Sequence, residues 1–257
     1  MSAALARAEL LERLLPVARG AGDAILAVYA TDFAVRDKPD SSPVTAADER
    51  AEAAIVPALA ALAPGIPIVS EELAAAGRIP DVAARFWLVD PLDGTKEFIK
   101  RNDEFTVNIA LIEHGAPVLG IVFAPALGRL YAGAKGSGAF HEDSARRRAI
   151  RCRPVPPQGV TVVASRSHGD MEALERLLAG RKVAARTNAG SSLKFCLVAS
   201  GAADLYPRFG RTMEWDTAAG HAVLAGAGGR VTTLDDAELR YGKPGFDNPH
   251  FIARGID

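Results

Sequence analysis

Along residues 5–29 the apolar positions Leu11, Leu14, Leu15, Ala18, Ile25, Leu26 and Tyr29 recur near helical spacing, which predicts an amphipathic helix. Pro16 falls inside it. An interior proline removes one backbone donor and costs about 3 kcal/mol, so the pattern predicts a kink there or two shorter helices. Lys38–Pro43 has the composition of a loop, and Thr45-Ala-Ala-Asp48 then has the form of a capping box opening a second helix to about Leu62. Ile66–Ser70 reads as a short strand ending in Glu71 and Glu72. Phe86 to Val89 reads as a buried strand, from which the chain turns sharply through Asp90-Pro-Leu-Asp-Gly94. Phe105, Val107, Ile109 and Leu111 alternate with Thr106, Asn108 and Ala110. Val118–Ala124 and Leu130–Ala134 follow at hairpin spacing, so the central part predicts an antiparallel meander.

The rhythm changes after His141–Arg153, a polar stretch carrying Arg146, Arg147, Arg148, Arg151 and Arg153 and followed by Pro154, Pro156 and Pro157. It reads as a solvated connector, and a domain boundary is placed there, dividing residues 1–150 from residues 151–257. Beyond it, strands at Val160–Ala164, Val183–Thr187 and Asp204–Tyr206 alternate with helices at Asp170–Ala179, Ser191–Ser200 and Asp216–Ala227. Such alternation predicts a three-layer α/β unit, with Asp216 as the N-cap of its helix.

Composition narrows the class without naming a chemistry. The chain has 257 residues, 49% hydrophobic and 24% charged, as an ordinary soluble globular protein does. A formal net charge of -1 gives no global reason to expect nucleic acid or an anionic membrane as partner. Cys152 and Cys196 are too far apart in sequence to suggest a disulfide framework, which favours a reducing compartment. Glu9, Glu12 and Asp23 interrupt the first 30 residues, so no secretory signal is expected there. No stretch approaches the roughly 18–20 apolar residues of a membrane span, and a cytoplasmic protein is the expectation.

The chemistry concentrates in the turn after Val89. Gly94 permits positive φ and Pro91 fixes its own, so Asp90 and Asp93 can converge at the strand's end. At about 4 Å and an effective dielectric of about 20, two carboxylates repel by about 4 kcal/mol, so a cation or a shared proton is expected between them. Oxygen donors favour magnesium or manganese over zinc. The amides of Gly94 and Thr95, opening a short helix, suit phosphate oxygens. Glu71 and Glu72 at a neighbouring strand end repeat the theme. Each acid also has a sufficient structural role, as Asp and Gly are ordinary turn residues and Asp48 and Asp216 are ordinary caps.

Together, Glu71-Glu72 after a strand, Asp90-Pro-Leu-Asp-Gly-Thr95 and Trp215-Asp216 opening a late helix resemble the magnesium-dependent, lithium-sensitive phosphatase superfamily that includes inositol monophosphatase and fructose-1,6-bisphosphatase. Within it the chain is similar to the bacterial CysQ-type 3′(2′),5′-bisphosphate nucleotidases. That similarity runs through Ser42-Pro-Val-Thr-Ala-Ala-Asp48, Phe105-Thr-Val-Asn-Ile-Ala-Leu111, Ser165-Arg-Ser-His168, Gly190-Ser-Ser-Leu-Lys-Phe-Cys196 and Leu205-Tyr-Pro-Arg-Phe-Gly210. The resemblance implies a layered α-β-α-β-α sandwich, with an antiparallel sheet in the N-terminal half and a mixed sheet with flanking helices in the C-terminal half.

It also implies that Glu71, Asp90, the Leu92 carbonyl, Asp93 and Asp216 hold two or three Mg2+ ions, replaceable by Mn2+. Thr95, backed by Asp48, would activate the attacking water. Glu71, Leu92, Asp93, Gly94, Thr95 and Asp216 would border the scissile phosphate. Ser165, His168, Ser192, Lys194 and Arg208 would meet a second phosphate or a purine ring, although each alone is an ordinary surface or capping residue. The implied reaction is hydrolysis of adenosine 3′,5′-bisphosphate (PAP) to AMP and phosphate, a clearance step in sulfate assimilation, with its 5′-phosphosulfate analogue PAPS as a further substrate. An inositol or sugar phosphatase is the rival within the class, and a non-catalytic metal- and phosphate-binding regulator the rival outside it. Arg211-Thr-Met-Glu214 departs from the tetrapeptide expected before Trp215. Monomer and homodimer stay open, as does loose association with the inner membrane.

Overall fold

The computed structural model describes residues 3–37, 43–165 and 170–256. Residues 38–42, most of the expected loop, and His168 lie outside the described residues. In chain order the first half forms α1 (Ala3–Tyr29), β1 (Val35–Asp37), β2 (Pro43–Thr45), α2 (Ala46–Leu62), β3 (Ile68–Ser70), α3 (Glu71–Ala75), β4 (Arg85–Asp93) and α4 (Thr95–Ile99). The strands β5 (Thr106–Glu113), β6 (Ala116–Ala124), β7 (Arg129–Ala134), β8 (Gly138–Glu142) and β9 (Arg147–Ile150) follow. The remainder is β10 (Val160–Ala164), α5 (Met171–Leu178), β11 (Val183–Asn188), α6 (Leu193–Ala199), β12 (Leu205–Arg208), α7 (Glu214–Gly226), β13 (Arg230–Thr233) and β14 (Phe251–Arg254).

Alternation along the strands dictates the layers. In β4 and β5, Trp87, Val89, Val107, Ile109 and Leu111 face Leu14, Ala18 and Ile25 of α1 and Ile55 and Leu59 of α2. On the other face Phe86, Leu88, Ala110 and Ile112 meet Phe195 of α6 and Trp215, Ala218 and Val223 of α7. Both faces are covered, and each fully buried Phe or Leu contributes about 1.5–3 kcal/mol. Because side chains alternate, Asp90 follows Leu88 onto the α7 side; a one-residue slip would drive its carboxylate into the α1/α2 core.

The first sheet has seven strands in the order β3-β4-β5-β6-β7-β8-β9, and the second has five in the order β11-β10-β12-β14-β13. Val163, Tyr206, Val231 and Phe251 of the second sheet close over α6 and α7 from the far side. Its outer face, through Val160, Val162, Leu205 and Ile252, is covered by Leu174 and Leu178 of α5. The result is the expected α-β-α-β-α sandwich, with α6 and α7 as its middle layer. Small residues let α7 lie close to the first sheet: a Cβ on Gly120 would sit 2.5 Å from the Ala219 carbonyl oxygen, and one on Gly133 2.8 Å from Val223 Cα. Among the described residues no helix is long and apolar enough to cross a membrane.

Local expectations are corrected where non-local packing decides. Of the two outcomes expected at Pro16, two shorter helices are not seen: α1 runs through the proline as one helix, with Leu14, Leu15 and Ala18 buried on either side of it. The first sheet is antiparallel except at its edge, where β3 pairs parallel to β4. The arginine-rich connector is partly strand: β9 pairs with β8, and Arg147 bridges Glu12 at 2.6 Å and Glu142 at 2.7 Å while lying over Phe140. Charges on an exposed edge strand discourage pairing with other chains. Cys152 and Cys196 are buried free thiols.

Candidate active site

The parallel pairing of β3 with β4 sets Ser70 level with Val89, so Glu71 and Asp90 leave the sheet side by side. Glu52 on α2 fixes the start of α3 by accepting from the Leu73 amide at 3.2 Å and from the Ser70 hydroxyl. Strand β4 continues past Val89 to Asp93, where a sharp turn was expected. Asp90 pairs with Asn108 and Asp93 with Thr106, so three steps along β4 match two along β5. That extra residue is a bulge. Residues three apart in a regular strand face opposite ways; the bulge brings Asp90 and Asp93 to one side, and Pro91 sits where no ladder donor is needed.

Asp216 arrives from α7. It is not the N-cap: Met213, with φ -94 and ψ 164, occupies that position, and Asp216 at the third helical residue accepts the Met213 amide at 2.8 Å. One carboxylate oxygen from each of Glu71, Asp90 and Asp216 lies within 4.8 Å of the others. Two charges at that separation repel by about 3.5 kcal/mol at an effective dielectric of about 20. Burial, then the charges of Glu71, Asp93 and Asp216, pushes the Asp90 carboxyl well above the usual carboxylate range. Asp216 is pushed well above it as well, by burial and then by Asp93 and Glu71. An oxygen-only, mutually repelling donor set fits a hard divalent cation.

Asp93 stands beside this trio with Oδ2 engaged. It accepts from the Ser192 amide at 2.8 Å, Asn108 Nδ2 at 3.2 Å and Thr106 Oγ1 at 3.4 Å. Burial raises its carboxyl, while Lys194 and the hydrogen bonds act in the opposite direction. Gly94, at φ 90, turns the chain into α4 where a Cβ would collide with the Ser191 hydroxyl. Ser191 Oγ in turn lies 2.8 Å from both the Asp93 and Glu104 carbonyl oxygens.

Thr95 Oγ1 donates to Asp48 Oδ1 at 3.2 Å and lies 3.4 Å from the Leu92 carbonyl. Asp48 is buried, and its Oδ2 accepts from the Thr45 amide at 2.7 Å and the Thr45 hydroxyl at 2.8 Å. The two oxygens divide the labour. One closes the capping box at the start of α2, and the other faces Thr95.

These groups open into a cleft of about 280 Å³ lined by Glu71, Asp90, Leu92, Asp93, Gly94, Thr95 and Asp216, and by Ser165, Ser191, Lys194 and Arg208. Lys194 is 5% exposed and donates to the carbonyls of Ser191 at 2.6 Å and Ala189 at 3.2 Å. Burial lowers its pKa to about 8, against the pull of Asp93. Arg208 Nη2 donates to the Arg211 carbonyl at 3.0 Å. Ser192 lies beneath the cleft, accepting from Asn108 at 2.9 Å and donating to the Asp216 carbonyl at 2.7 Å. Asn108, Thr106 and Ser191 were not singled out from sequence. For the first two a signal existed: polar side chains in a strand otherwise made for burial.

A model of the inositol monophosphatase family matches residues 6–252. The 3′(2′),5′-bisphosphate nucleotidase CysQ of Shigella flexneri is 50% identical over 245 residues, 94% of this chain and 98% of that protein. The crystal structure of CysQ from Bacteroides thetaiotaomicron, described as a bacterial member of the inositol monophosphatase family, matches with a TM-score of 0.80 at 36% identity over 98% of both chains. An IMPase from Thermotoga maritima matches with a TM-score of 0.78 at 27% identity, over 96% of this chain and 92% of that one. These matches take in both sheets, the helices between them and every acid of the cleft, and on them the chain belongs to the inositol monophosphatase family.

Proposed function

We propose that this protein is a metal-dependent phosphomonoesterase that removes the 3′-phosphate of PAP, giving AMP and phosphate, with PAPS as a second substrate. The observation that carries the reading is the convergence of Glu71, Asp90 and Asp216 in one cleft with the Thr95–Asp48 pair. The nucleotidase named above, half identical over nearly its whole length, supports the choice of substrate. Glu71, Asp90, the Leu92 carbonyl, Asp93 and Asp216 hold the ions, which are two or three Mg2+ with Mn2+ as a substitute. Bound there, such ions supply Lewis acidity, charge neutralisation and a more acidic water.

The chain's own residues do the rest. Thr95 directs its proton at Asp48 Oδ1, which leaves Thr95 Oγ1 free to accept from the attacking water and to aim its lone pair. Asp48 cannot swing away, because Thr45 holds its other oxygen twice. The water oxygen attacks phosphorus, the bond to the 3′ oxygen breaks in line, and a proton ends on the departing 3′-hydroxyl. Amides of Gly94 and Thr95 hold the scissile phosphate. Lys194, Arg208 and Ser165 meet the second phosphate or the purine, with His168 assigned to the same group. Ser192 serves through Asp93, which its amide orients.

Phosphate release from PAP, PAPS and inositol monophosphate tests the reading. A preference for PAP is expected; a preference above about tenfold for the inositol phosphate, worth about 1.4 kcal/mol, would make this a sugar phosphatase. Release unchanged in Asp93→Asn would locate the activity elsewhere.

A further inference from the structure

Asp216 depends on where the first turn of α7 sits, and that turn is held by a segment that does not line the cleft. Glu214, the first residue of α7, is 0% exposed. Both of its oxygens are engaged by the C-terminal loop: Oε2 accepts the Gly242 amide at 2.6 Å, and Oε1 accepts the Lys243 amide at 3.0 Å and Lys243 Nζ at 2.6 Å. Lys243 Nζ also lies 3.3 Å from Asn248 Oδ1. Asn248 completes the grip. Its side-chain amide donates to the Met213 carbonyl at 2.8 Å and reaches Thr217 Oγ1 at 3.0 Å, and its backbone amide donates to the Thr212 carbonyl at 2.9 Å.

The loop thus holds the residue before the cap, the cap itself, and the first and fourth residues of α7. Met213, fixed by Asn248 through its carbonyl, is the residue whose amide Asp216 accepts. A buried ion pair is weak evidence for stability, because desolvation offsets most of its attraction. What such a pair supplies here is a place: a charged carboxylate with every oxygen satisfied admits one arrangement of the groups around it.

We propose that Lys243, acting through Glu214 and with Asn248, is a positioning residue for the metal centre, fixing the first turn of α7 so that Asp216 meets Glu71 and Asp90. The inference rests on the metal-centre reading above. Without Lys243 the buried Glu214 charge loses its cation, the turn shifts to rehydrate it, and Asp216 leaves the position the trio requires. Lys243→Arg keeps the charge and two donors within reach of Glu214.

Mg2+ titrated calorimetrically into substrate-free protein tests this without any turnover. Lys243→Met is expected to raise the Mg2+ Kd at least about tenfold, about 1.4 kcal/mol. Lys243→Arg is expected to return it to within about threefold of wild type. The fluorescence change of Trp215, adjacent to Asp216, should shift to the same higher Mg2+ concentrations. A folded Lys243→Met protein whose Mg2+ Kd stays within about twofold of wild type would overturn the inference and leave the metal-centre reading intact. If Lys243→Met does not fold, Asn248→Ala decides on the same two criteria. A wild-type protein that binds no Mg2+ would remove the metal-centre reading, and this inference with it.

Discussion

Replacing Asp90 by asparagine should stabilise the metal-free protein and destabilise the metal-loaded one relative to wild type. Asp90 is 2% exposed, and its carboxyl shares a 4.8 Å circle with those of Glu71 and Asp216. Each fully charged pair at that distance costs about 3.5 kcal/mol at an effective dielectric of about 20. Burial and mutual repulsion raise the carboxyls of Asp90 and Asp216, which favours proton uptake over the full sum, so the relief on removing one charge is smaller, about 1–3 kcal/mol. For a chain of this size that is about 2–12 °C in Tm. The sign also follows from linkage. An acid whose folded pKa lies above its unfolded value binds more protons in the folded state, so stability falls as pH rises above about 4. That slope should be shallower in Asp90→Asn. Mg2+ at about one hundred times its Kd should stabilise wild type by about 2.7 kcal/mol and the variant by far less, reversing their order. Thermal unfolding with chelator and with Mg2+, at pH 5 to 8, reads all three effects. A metal-free variant less stable than wild type, or equal stabilisation of both by Mg2+, would show that Asp90 is not held in a repelling trio relieved by a cation.

Three further outcomes follow from single contacts. Thr95→Val should lower kcat by about 10²–10⁴ while leaving the calorimetric Mg2+ Kd near wild type, since the hydroxyl bonds Asp48 rather than the trio; an unchanged kcat would remove Thr95 from the chemistry. Gly120→Ala places a Cβ 2.5 Å from the Ala219 carbonyl and should destabilise by about 1–3 kcal/mol in urea unfolding, with loss of activity as α7 is pushed off the sheet. His221 is buried against Tyr241, 3.0 Å from its hydroxyl, and burial lowers its pKa to about 3. Its neutral folded form contributes stability that is intact above about 6.5 and lost by about 1.4 kcal/mol per pH unit below that, so acid unfolding of His221→Phe should lack this component.

What could be read from sequence was what neighbours within a few residues determine. The Thr45–Asp48 capping box closes over three residues, and its sequence form sufficed to start α2 where it starts. Gly94 advertised a positive φ, and the structure has it at 90. The alternation of β5 separated its two faces, and the structure packs Val107, Ile109 and Leu111 on α1 and α2 and turns Ala110 toward α7. The five-layer sandwich came from the resemblance, since alternating strands and helices by themselves imply only three layers. Other features depend on partners far along the chain. Nothing between Val69 and Leu88 says that their strands run parallel, and the bulge that aligns Asp90 with Asp93 exists only against Thr106 and Asn108. Aspartate favours the N-cap, which predicts Asp216 there, whereas an extended Met213 takes that position and leaves Asp216 one carboxylate for the helix start and the trio. Adjacent Ser191 and Ser192 are equivalent in sequence; the positive φ of 48 at Ser191 puts one on the cleft wall and one below it. The Glu214–Lys243 pair spans 29 residues and two elements, beyond the reach of any local pattern.

Oxygen donors from β3–α3, β4 and α7 are expected to share one divalent-ion centre. Anomalous diffraction from crystals soaked in Mn2+ measures this most directly. A manganese peak is expected within about 2.0–2.3 Å of carboxylate oxygens of Glu71, Asp90 and Asp216 together. Peaks confined to other carboxylates, with these three side chains apart, would contradict it.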